Sequence, residues 1–168
     1  MTYIVGVNMF EKILMVPMSK EYAKEICNWE YFGEYKTYNM PSWNEMVENN
    51  YSLTISRKRD SEYKAFISES NELLAMCRYV EKDNGIMVGV GVNPDYLSMG
   101  IGKTVIKVFT EWLLHTFPES TIYLEVRTWN NRAIECYKKC GYEITEEFAQ
   151  RTPIGEGAFY RLYYNRNK

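Results

Sequence analysis

The chain has 168 residues, of which 46% are hydrophobic and 25% are charged, the composition of a globular protein able to bury a core. With a formal net charge of −2, the chain has no excess of basic residues, which nucleic-acid binding usually requires. No apolar run reaches the ~18 residues that span a membrane, and the first residues lack the basic start of a signal peptide. We therefore expect one cytoplasmic domain over residues 1–168, without nucleic-acid or membrane partners. Whether residues 1–12 form an extra N-terminal segment stays open.

The four cysteines and the single histidine show no metal or redox pattern. No pair has Cys-x-x-Cys spacing, and Cys136 and Cys140 fit small buried side chains on one helix face. His115 falls late in a predicted helix, where a capping or surface position is typical. We therefore expect no metal. Because no cysteine lies with a histidine at a recognisable nucleophile position, we also expect no covalent enzyme intermediate.

The first half of the chain predicts two helices and four strands. Tyr22, Ile26 and Trp29 share one helical stripe, and Ser42 with Glu45 forms a capping-box pattern that opens a second short helix. An aromatic-rich loop covers residues 31–38. The predicted strands cover residues 13–16, 63–68, 73–80 and 86–92, and the first helix covers residues 19–29.

The second half alternates helices and strands. Apolar residues recur at helical spacing over residues 100–115, and Gly141 suits the end of the next helix. In the strand 122–127, Glu125 lies on the face opposite Leu124 and Val126. The predicted elements of this half are helices over 100–115 and 131–140 and strands over 122–127, 142–149 and 158–164. The order β-α-α-β-β-β-α-β-α-β-β predicts an α/β fold with a mixed sheet of about six to seven strands flanked by helices.

A glycine-containing turn precedes the helix at residue 100. The segment Gly100-Ile101-Gly102-Lys103-Thr104 follows the strand 86–92 and the pair Asn93-Pro94. Glycine leaves the backbone N–H groups of a helix N-terminus bare, and these groups with the helix dipole favour an anion such as a phosphate. Such a turn alone is common wherever a chain must bend. No acidic residue follows at the spacing of a dinucleotide-binding unit.

Together with the downstream pattern Asn130-x-x-Ala133-x-x-x-Tyr137, this segment resembles the acetyl-CoA-binding core of the GCN5-related N-acetyltransferase (GNAT) family over residues 86–142. The resemblance implies that acetyl-CoA is the co-substrate and that the strand before the turn offers main-chain groups to its pantetheine. The cofactor-binding residues that it implies are Val90, Val92, Leu97, Ser98, Met99, Gly100, Ile101, Gly102, Lys103, Thr104, Asn130, Ala133 and Tyr137. Asn130 equally fits a helix N-cap, and both roles are compatible.

Two positions of the turn depart from the family pattern. Leu97 stands where the family usually has a basic or amide side chain, and Ser98 stands where it often has another glycine. The two glycines Gly100 and Gly102 are in place. The resemblance therefore implies that backbone N–H groups do most of the pyrophosphate binding.

The stretch Leu124-Glu125-Val126-Arg127 followed by Tyr137 is similar to that of ribosomal-protein N-terminal acetyltransferases. In that subfamily the glutamate is a general base and the tyrosine a general acid, which implies these roles for Glu125 and Tyr137. A phenol of pKa about 10 suits protonation of a leaving alkyl thiolate. The alternatives are a solvated Glu125 paired with Arg127, a core Tyr137, and a base such as Glu72 acting through water.

The sequence therefore predicts an N-acetyltransferase that moves an acetyl group to a primary amine by direct attack in a ternary complex. The acceptor classes left open are a peptide N-terminus and a small amine such as a polyamine or aminoglycoside. Residues 31–38 and 150–159 are expected to shape the acceptor site. The alternatives are a non-catalytic acyl-CoA-binding module and a nucleotide- or methyl-donor-binding enzyme, and a homodimer remains open.

Overall fold

The computed structural model describes residues 4–7 and 10–167. Within these residues eight strands form one mixed sheet in the order β1-β2-β3-β4-β5-β6-β8-β7, with β5 and β6 as a parallel pair. The strands are β1 (Ile4–Val7), β2 (Phe10–Pro17), β3 (Tyr63–Ser68), β4 (Leu73–Lys82), β5 (Gly85–Val92), β6 (Ile122–Arg127), β7 (Tyr142–Thr152) and β8 (Gly155–Tyr164). The helices are α1 (Lys20–Ile26), α2 (Trp43–Glu48), α3 (Ser56–Glu62), α4 (Ile101–Thr116) and α5 (Asn131–Lys139). The predicted mixed α/β class is confirmed.

The differences from the predicted elements lie mainly in polar or terminal segments. The sheet gains β1, and β2 begins three residues earlier than predicted, while residues 1–3 and 8–9 lie outside the described residues. Helix α3 was not predicted, because its sequence Ser-Arg-Lys-Arg-Asp-Ser-Glu has no apolar stripe. The predicted aromatic loop contains a 3₁₀ turn over Gly33–Tyr38.

The chain divides into two compact units: Met1–Arg78 with Val90–Ile101, and Tyr79–Gly89 with Gly102–Lys168. The expectation of a single domain stays a prediction. In the first unit, the β3 residues Tyr63, Ala65 and Ile67 share a buried cluster with Ala23 and Ile26 of α1. Alternation along β3 thus turns one face of the strand toward α1.

The second unit buries one face of the strands β6, β8 and β7. Leu124 pairs with Leu162, and both are almost fully buried. Tyr142, at the start of β7, is 1% exposed, and its hydroxyl lies 2.6 Å from Thr110 Oγ1 of α4. Because Tyr142 pairs with Tyr164, two residues beyond Leu162, these side chains lie on the same face of the sheet.

Candidate functional site

The turn after β5 is anchored by the buried side chain of Asn93. Its Nδ2 donates to the Leu73 carbonyl at 2.9 Å, and its Oδ1 accepts from the Asp95 N–H at 3.0 Å. Pro94 then opens a 3₁₀ turn over Pro94–Tyr96, where its fixed φ suits the first helical position. The chain therefore leaves β5 along a defined path toward α4.

Two left-handed residues precede α4. Ser98 has φ +63° and Gly100 has φ +81°, and α4 begins at Ile101. An L-residue pays about 1–2 kcal/mol for this conformation, whereas glycine adopts it freely. The backbone at Ser98 thus explains why glycine is common there in the family that the sequence resembles. With serine at this position, the main chain still adopts the left-handed conformation.

The first turn of α4 offers the backbone donors of the candidate phosphate site. The first four N–H groups of an α-helix have no partner within the helix, so they are available to an anion. Ile101 is 1% exposed, Gly102 and Thr104 are half-buried, and the Lys103 side chain is exposed. The Ile101 side chain thus serves the core, and Lys103 is the cationic side chain within this turn.

Leu97 has a structural role that the sequence did not show. Its side chain packs against the hydrophobic cluster of the first unit, which includes Trp29 and Met76. The family usually has a basic or amide side chain at this position. In this protein the Leu97 side chain points into the core instead. Only the backbone of Leu97 is in a position to serve a ligand.

The end of β5 carries the main-chain groups assigned to the pantetheine. The pairing of β5 with β6 runs from Ile86 opposite Ile122 to Val88 opposite Leu124, and β5 continues to Val92. A Cβ added to Gly89 would have no atom within 4 Å. The Tyr31 hydroxyl donates to the Val92 carbonyl at 2.7 Å. One lone pair of that carbonyl is therefore already used by the aromatic loop.

Glu125 is paired with Arg161 rather than with Arg127. The two residues are directly opposite on β6 and β8, and Arg161 donates from Nε at 3.1 Å and from Nη2 at 2.8 Å, both to Glu125 Oε1. Arg161 also donates from Nη1 to Glu146 Oε2 at 2.6 Å. Its guanidinium lies 4.8 Å from the ring centroid of Phe148. Arg161 is thus held on several sides and fixes the Glu125 carboxylate.

Arg127 is engaged elsewhere on the same face. Its Nη2 donates to Thr152 Oγ1 at 3.3 Å, and its guanidinium lies 4.9 Å from the ring centroid of Phe159. The alternative of a Glu125–Arg127 pair is therefore wrong. Arg161 was missed because the register of β6 against β8, 36 residues apart along the chain at this pair, is not legible in the sequence. Opposite charges on two predicted strands were the available signal.

Helix α5 holds the second predicted catalytic residue. Asn130, 6% exposed, caps the helix by accepting the Ala133 N–H at 3.2 Å, and Gly141 with φ +92° follows its end. The half-buried Tyr137 ring lies 6.3 Å from that of Tyr142. Since Thr110 fixes the Tyr142 hydroxyl, the ring beneath Tyr137 is firmly placed.

Glu125 and the Tyr142 ring lie on opposite faces of the strands β6, β8 and β7, because Glu125 pairs with Arg161 and Leu124 with Leu162. The structure therefore does not bring Glu125 and Tyr137 together on one face. Beyond Leu124, β6 has no β5 partner among the described residues.

Glu72 lies in the turn before β4 rather than within a strand. Its carboxylate accepts from the hydroxyls of Ser70 at 2.9 Å, Ser68 at 3.3 Å and Tyr96 at 3.3 Å. Three hydroxyl donors thus hold the Glu72 carboxylate in this turn.

The described residues contain no helix long and apolar enough to cross a membrane.

Comparison with known proteins identifies the class. The model of the Acetyltransferase (GNAT) family matches residues 21–142, so the chain belongs to this family. An N-alpha-acetyltransferase from Sulfurisphaera tokodaii is 29% identical over 75 residues, which are 45% of this chain and 45% of that protein. The matched stretch thus spans less than half of that relative.

Solved structures of this family share the fold. A dodecameric spermidine N-acetyltransferase from Vibrio cholerae superposes with a TM-score of 0.69 at 16% identity, over 93% of this chain and 95% of that chain. The ribosomal-protein-S18-alanine N-acetyltransferase from Escherichia coli gives a TM-score of 0.64 at 15% identity, over 90% and 92%. At these identities the likeness concerns the fold, and it confirms the GNAT-like architecture.

Proposed function

We propose that the chain is an acetyl-CoA-dependent N-acetyltransferase that moves the acetyl group to a primary amine by direct attack in a ternary complex. The observation that carries this proposal is the left-handed turn at Ser98 and Gly100 that opens α4, in a chain of the acetyltransferase family. This geometry supports a site for a phosphate-bearing molecule at the α4 N-terminus.

The residues present fit acetyl-CoA, which would supply the activated acetyl thioester. The backbone from Leu97 to Thr104 would hold the pyrophosphate, and the main chains of Val90 and Val92 would hold the pantetheine. The open space beside Gly89 leaves room along β5. The resemblance assigns Asn130, whose Oδ1 caps α5 by accepting the Ala133 N–H, to the pantetheine as well.

We assign Glu125 to the binding of the acceptor's ammonium group. Its Oε1 accepts both bonds from Arg161, and its Oε2 has no hydrogen-bond partner among the described residues. Because Arg161 holds Oε1 in place, Oε2 is the atom that would accept a hydrogen bond from the acceptor's ammonium group. The family resemblance instead implies that Glu125 is a general base. The kinetics of a variant that lacks the negative charge distinguish the two roles.

Tyr137 is assigned the general acid that protonates the departing thiolate. Its ring is supported by Tyr142, so its position is held by packing. A hydroxyl donor at a defined position and of suitable pKa typically contributes about 10²–10⁴-fold to a rate.

The acceptor is proposed to be a cationic amine. Strand β7 carries three exposed acidic residues, Glu143, Glu146 and Glu147. Their negative charge attracts a cation. The relatives named an N-alpha-acetyltransferase and a spermidine N-acetyltransferase make a peptide N-terminus and a polyamine the first two candidates to test. Self-association, including a homodimer, remains a prediction for measurement by light scattering.

Two measurements test the function. Millimolar acetyl-CoA should raise the melting temperature, because it binds only the folded chain; an unchanged melting temperature would refute the proposal. Release of free thiol should then follow when acetyl-CoA is mixed with pooled polyamines or with peptides carrying a free N-terminus. Stabilisation without thiol release from any pool would favour the non-catalytic acyl-CoA-binding module.

A further inference from the structure

Gly89 lies on β5, beside the strand that carries Glu125. The parallel pairing of β5 and β6 places Met87 opposite Tyr123, and side chains opposite each other in a sheet point to the same face. Because every second residue of a strand points to the same face, position 89 shares this face with Met87, and Glu125 shares it with Tyr123. A side chain at position 89 would therefore point to the same face as the Glu125 carboxylate.

This face is filled at one end and open at the other. Toward the start of β6, Tyr123 is 3% exposed, its ring centroid lies 5.2 Å from that of Tyr163, and its hydroxyl donates to Asn84 Oδ1 at 3.0 Å. Gly89 is exposed, and a Cβ added to it would have no atom within 4 Å. The open space therefore begins where β5 lacks a side chain.

The Glu125 carboxylate has a fixed orientation on this face. Arg161, directly opposite on β8, donates twice to Glu125 Oε1, and its guanidinium lies 5.5 Å from the ring centroid of Tyr123. The Oε2 atom has no hydrogen-bond partner within the part of the chain that the structure describes. An ammonium group bound to Oε2 would therefore lie at the open part of the face, with Gly89 on the neighbouring strand.

We propose that Gly89 determines which acceptors fit, because its missing side chain leaves room for a substituent on the carbon that carries the reacting amine. This inference rests on the proposed function and on the anchoring role of Glu125. The amine of a peptide N-terminus is on a carbon that carries a side chain, whereas the primary amine of a polyamine is on an unbranched CH₂ carbon. Of the two candidate acceptors, the open space at Gly89 therefore favours the peptide N-terminus.

The open space is distinct from the main-chain groups assigned to the pantetheine. The N–H and C=O groups of a strand point sideways within the sheet, whereas its side chains point out of the sheet. The φ of Gly89 lies outside the left-handed region, so an L-residue adopts this backbone without strain. A side chain at position 89 should therefore reduce the room for the acceptor and leave the main-chain hydrogen bonds of the pantetheine in place.

The test compares Gly89→Ala and Gly89→Val with the unmodified chain, using two peptides that differ only in glycine or valine as the first residue. Both peptides carry an ammonium group, and only the valine peptide has a substituent on the carbon that bears it. Gly89→Val should lower kcat/KM for the valine peptide relative to the glycine peptide about 10- to 200-fold, the range for one carbon too many in a pocket. Gly89→Ala should have a smaller effect in the same direction. An equal change for both peptides would overturn the proposal.

Gly91→Ala is the matched control in the same strand. A Cβ added to Gly91 would lie 3.4 Å from Met76 Cγ and 3.5 Å from Trp29 Cζ3, so the new methyl group would contact protein atoms at ordinary packing distances. This variant should leave the ratio of kcat/KM between the two peptides unchanged. A change in the ratio as large as that of Gly89→Ala would overturn the proposal, because it would show that any methyl group added to β5 acts through the strand.

Binding measurements separate this inference from the proposed function. If acetyl-CoA fails to raise the melting temperature of the unmodified chain, the proposed function falls, and the ratio of the two peptide affinities by titration calorimetry still decides the role of Gly89. If acetyl-CoA stabilises the unmodified chain and not Gly89→Val, the open space belongs to the cofactor and the inference is overturned. Failure of both peptides to bind, or a higher kcat/KM for spermidine than for either peptide, would overturn it while the cofactor result stands.

Discussion

Glu125→Gln distinguishes an ammonium anchor from a general base. The Glu125 side chain is 18% exposed and accepts two hydrogen bonds from Arg161. The amide of glutamine keeps the shape and can still accept from Arg161, but it loses the negative charge. We expect the free energy of unfolding to fall by about 1–2 kcal/mol, because the charged guanidinium then donates to a neutral amide oxygen in place of a carboxylate. The melting temperature should then fall by about 2–8 °C.

The same change has a defined effect on turnover. A charge-assisted hydrogen bond from the acceptor's ammonium to Oε2 is worth about 1.5–3 kcal/mol, so kcat/KM should fall about 10- to 150-fold. If Glu125 anchors the amine, the loss lies mainly in the KM for the amine and is the same at every pH at which the amine stays protonated. If Glu125 is the base, the loss lies in kcat and shrinks as rising pH deprotonates the amine. Steady-state kinetics over this range, with acetyl-CoA saturating, would separate the two.

Glu146→Gln is the matched control. Glu146 accepts from the same Arg161, but its side chain is 49% exposed, so its ion pair with Arg161 contributes little to stability. This variant should change neither the KM for the amine nor the melting temperature by more than a small fraction of the Glu125→Gln effect. Equal kinetic effects of the two variants would show that the acidic cluster acts only through its total charge. The reasoning about Oε2 would then be refuted.

Four further variants test the turn before α4 and the proposed general acid. Gly102→Glu should abolish stabilisation by acetyl-CoA while keeping or raising the melting temperature of the free chain, since glutamate suits a helix first turn; Gly102→Ala should keep the stabilisation, and loss in both would contradict a charge effect. Tyr137→Phe should keep the stabilisation and lower kcat about 10²–10³-fold; full turnover would make Tyr137 a core residue. Ser98→Gly should raise the free energy of urea unfolding by up to ~1 kcal/mol, because relief of the left-handed conformation outweighs the added chain entropy; a clear decrease would contradict the backbone reading at Ser98.

Some elements could be predicted from the sequence because they are short, mostly apolar runs. Strands β3 and β6 have the predicted bounds, and in both strands the less buried positions are the charged residues Lys64, Glu125 and Arg127. Helix α3 was not predicted because all seven of its residues are polar. Without an apolar stripe, the sequence gives no sign of the tertiary contacts that hold this helix. The hairpin of β7 and β8 extends beyond the predicted ends because exposed, charged edge residues carry no periodic signal.

The site was only partly legible for a related reason. Local patterns identified the turn before α4, the cap at Asn130 and the face of β6 that carries Glu125, all of which depend on neighbours close in sequence. The partner of Glu125 depends on strand register, and the direction of Leu97 depends on tertiary packing. Neither the strand register nor the packing of Leu97 can be predicted from a few neighbouring residues, so both required the structure.

The two departures from the family pattern have one physical explanation. A turn that binds an anion through backbone N–H groups needs a particular path of the main chain more than particular side chains. Ser98 follows that path although the left-handed conformation is unfavourable for residues other than glycine. The Leu97 side chain packs against the core and so holds the turn in place. Asn93 anchors the other end of the turn to the start of β4. The side chains of Asn93 and Leu97 therefore stabilise the fold, and in the proposed site the backbone N–H groups would bind the ligand.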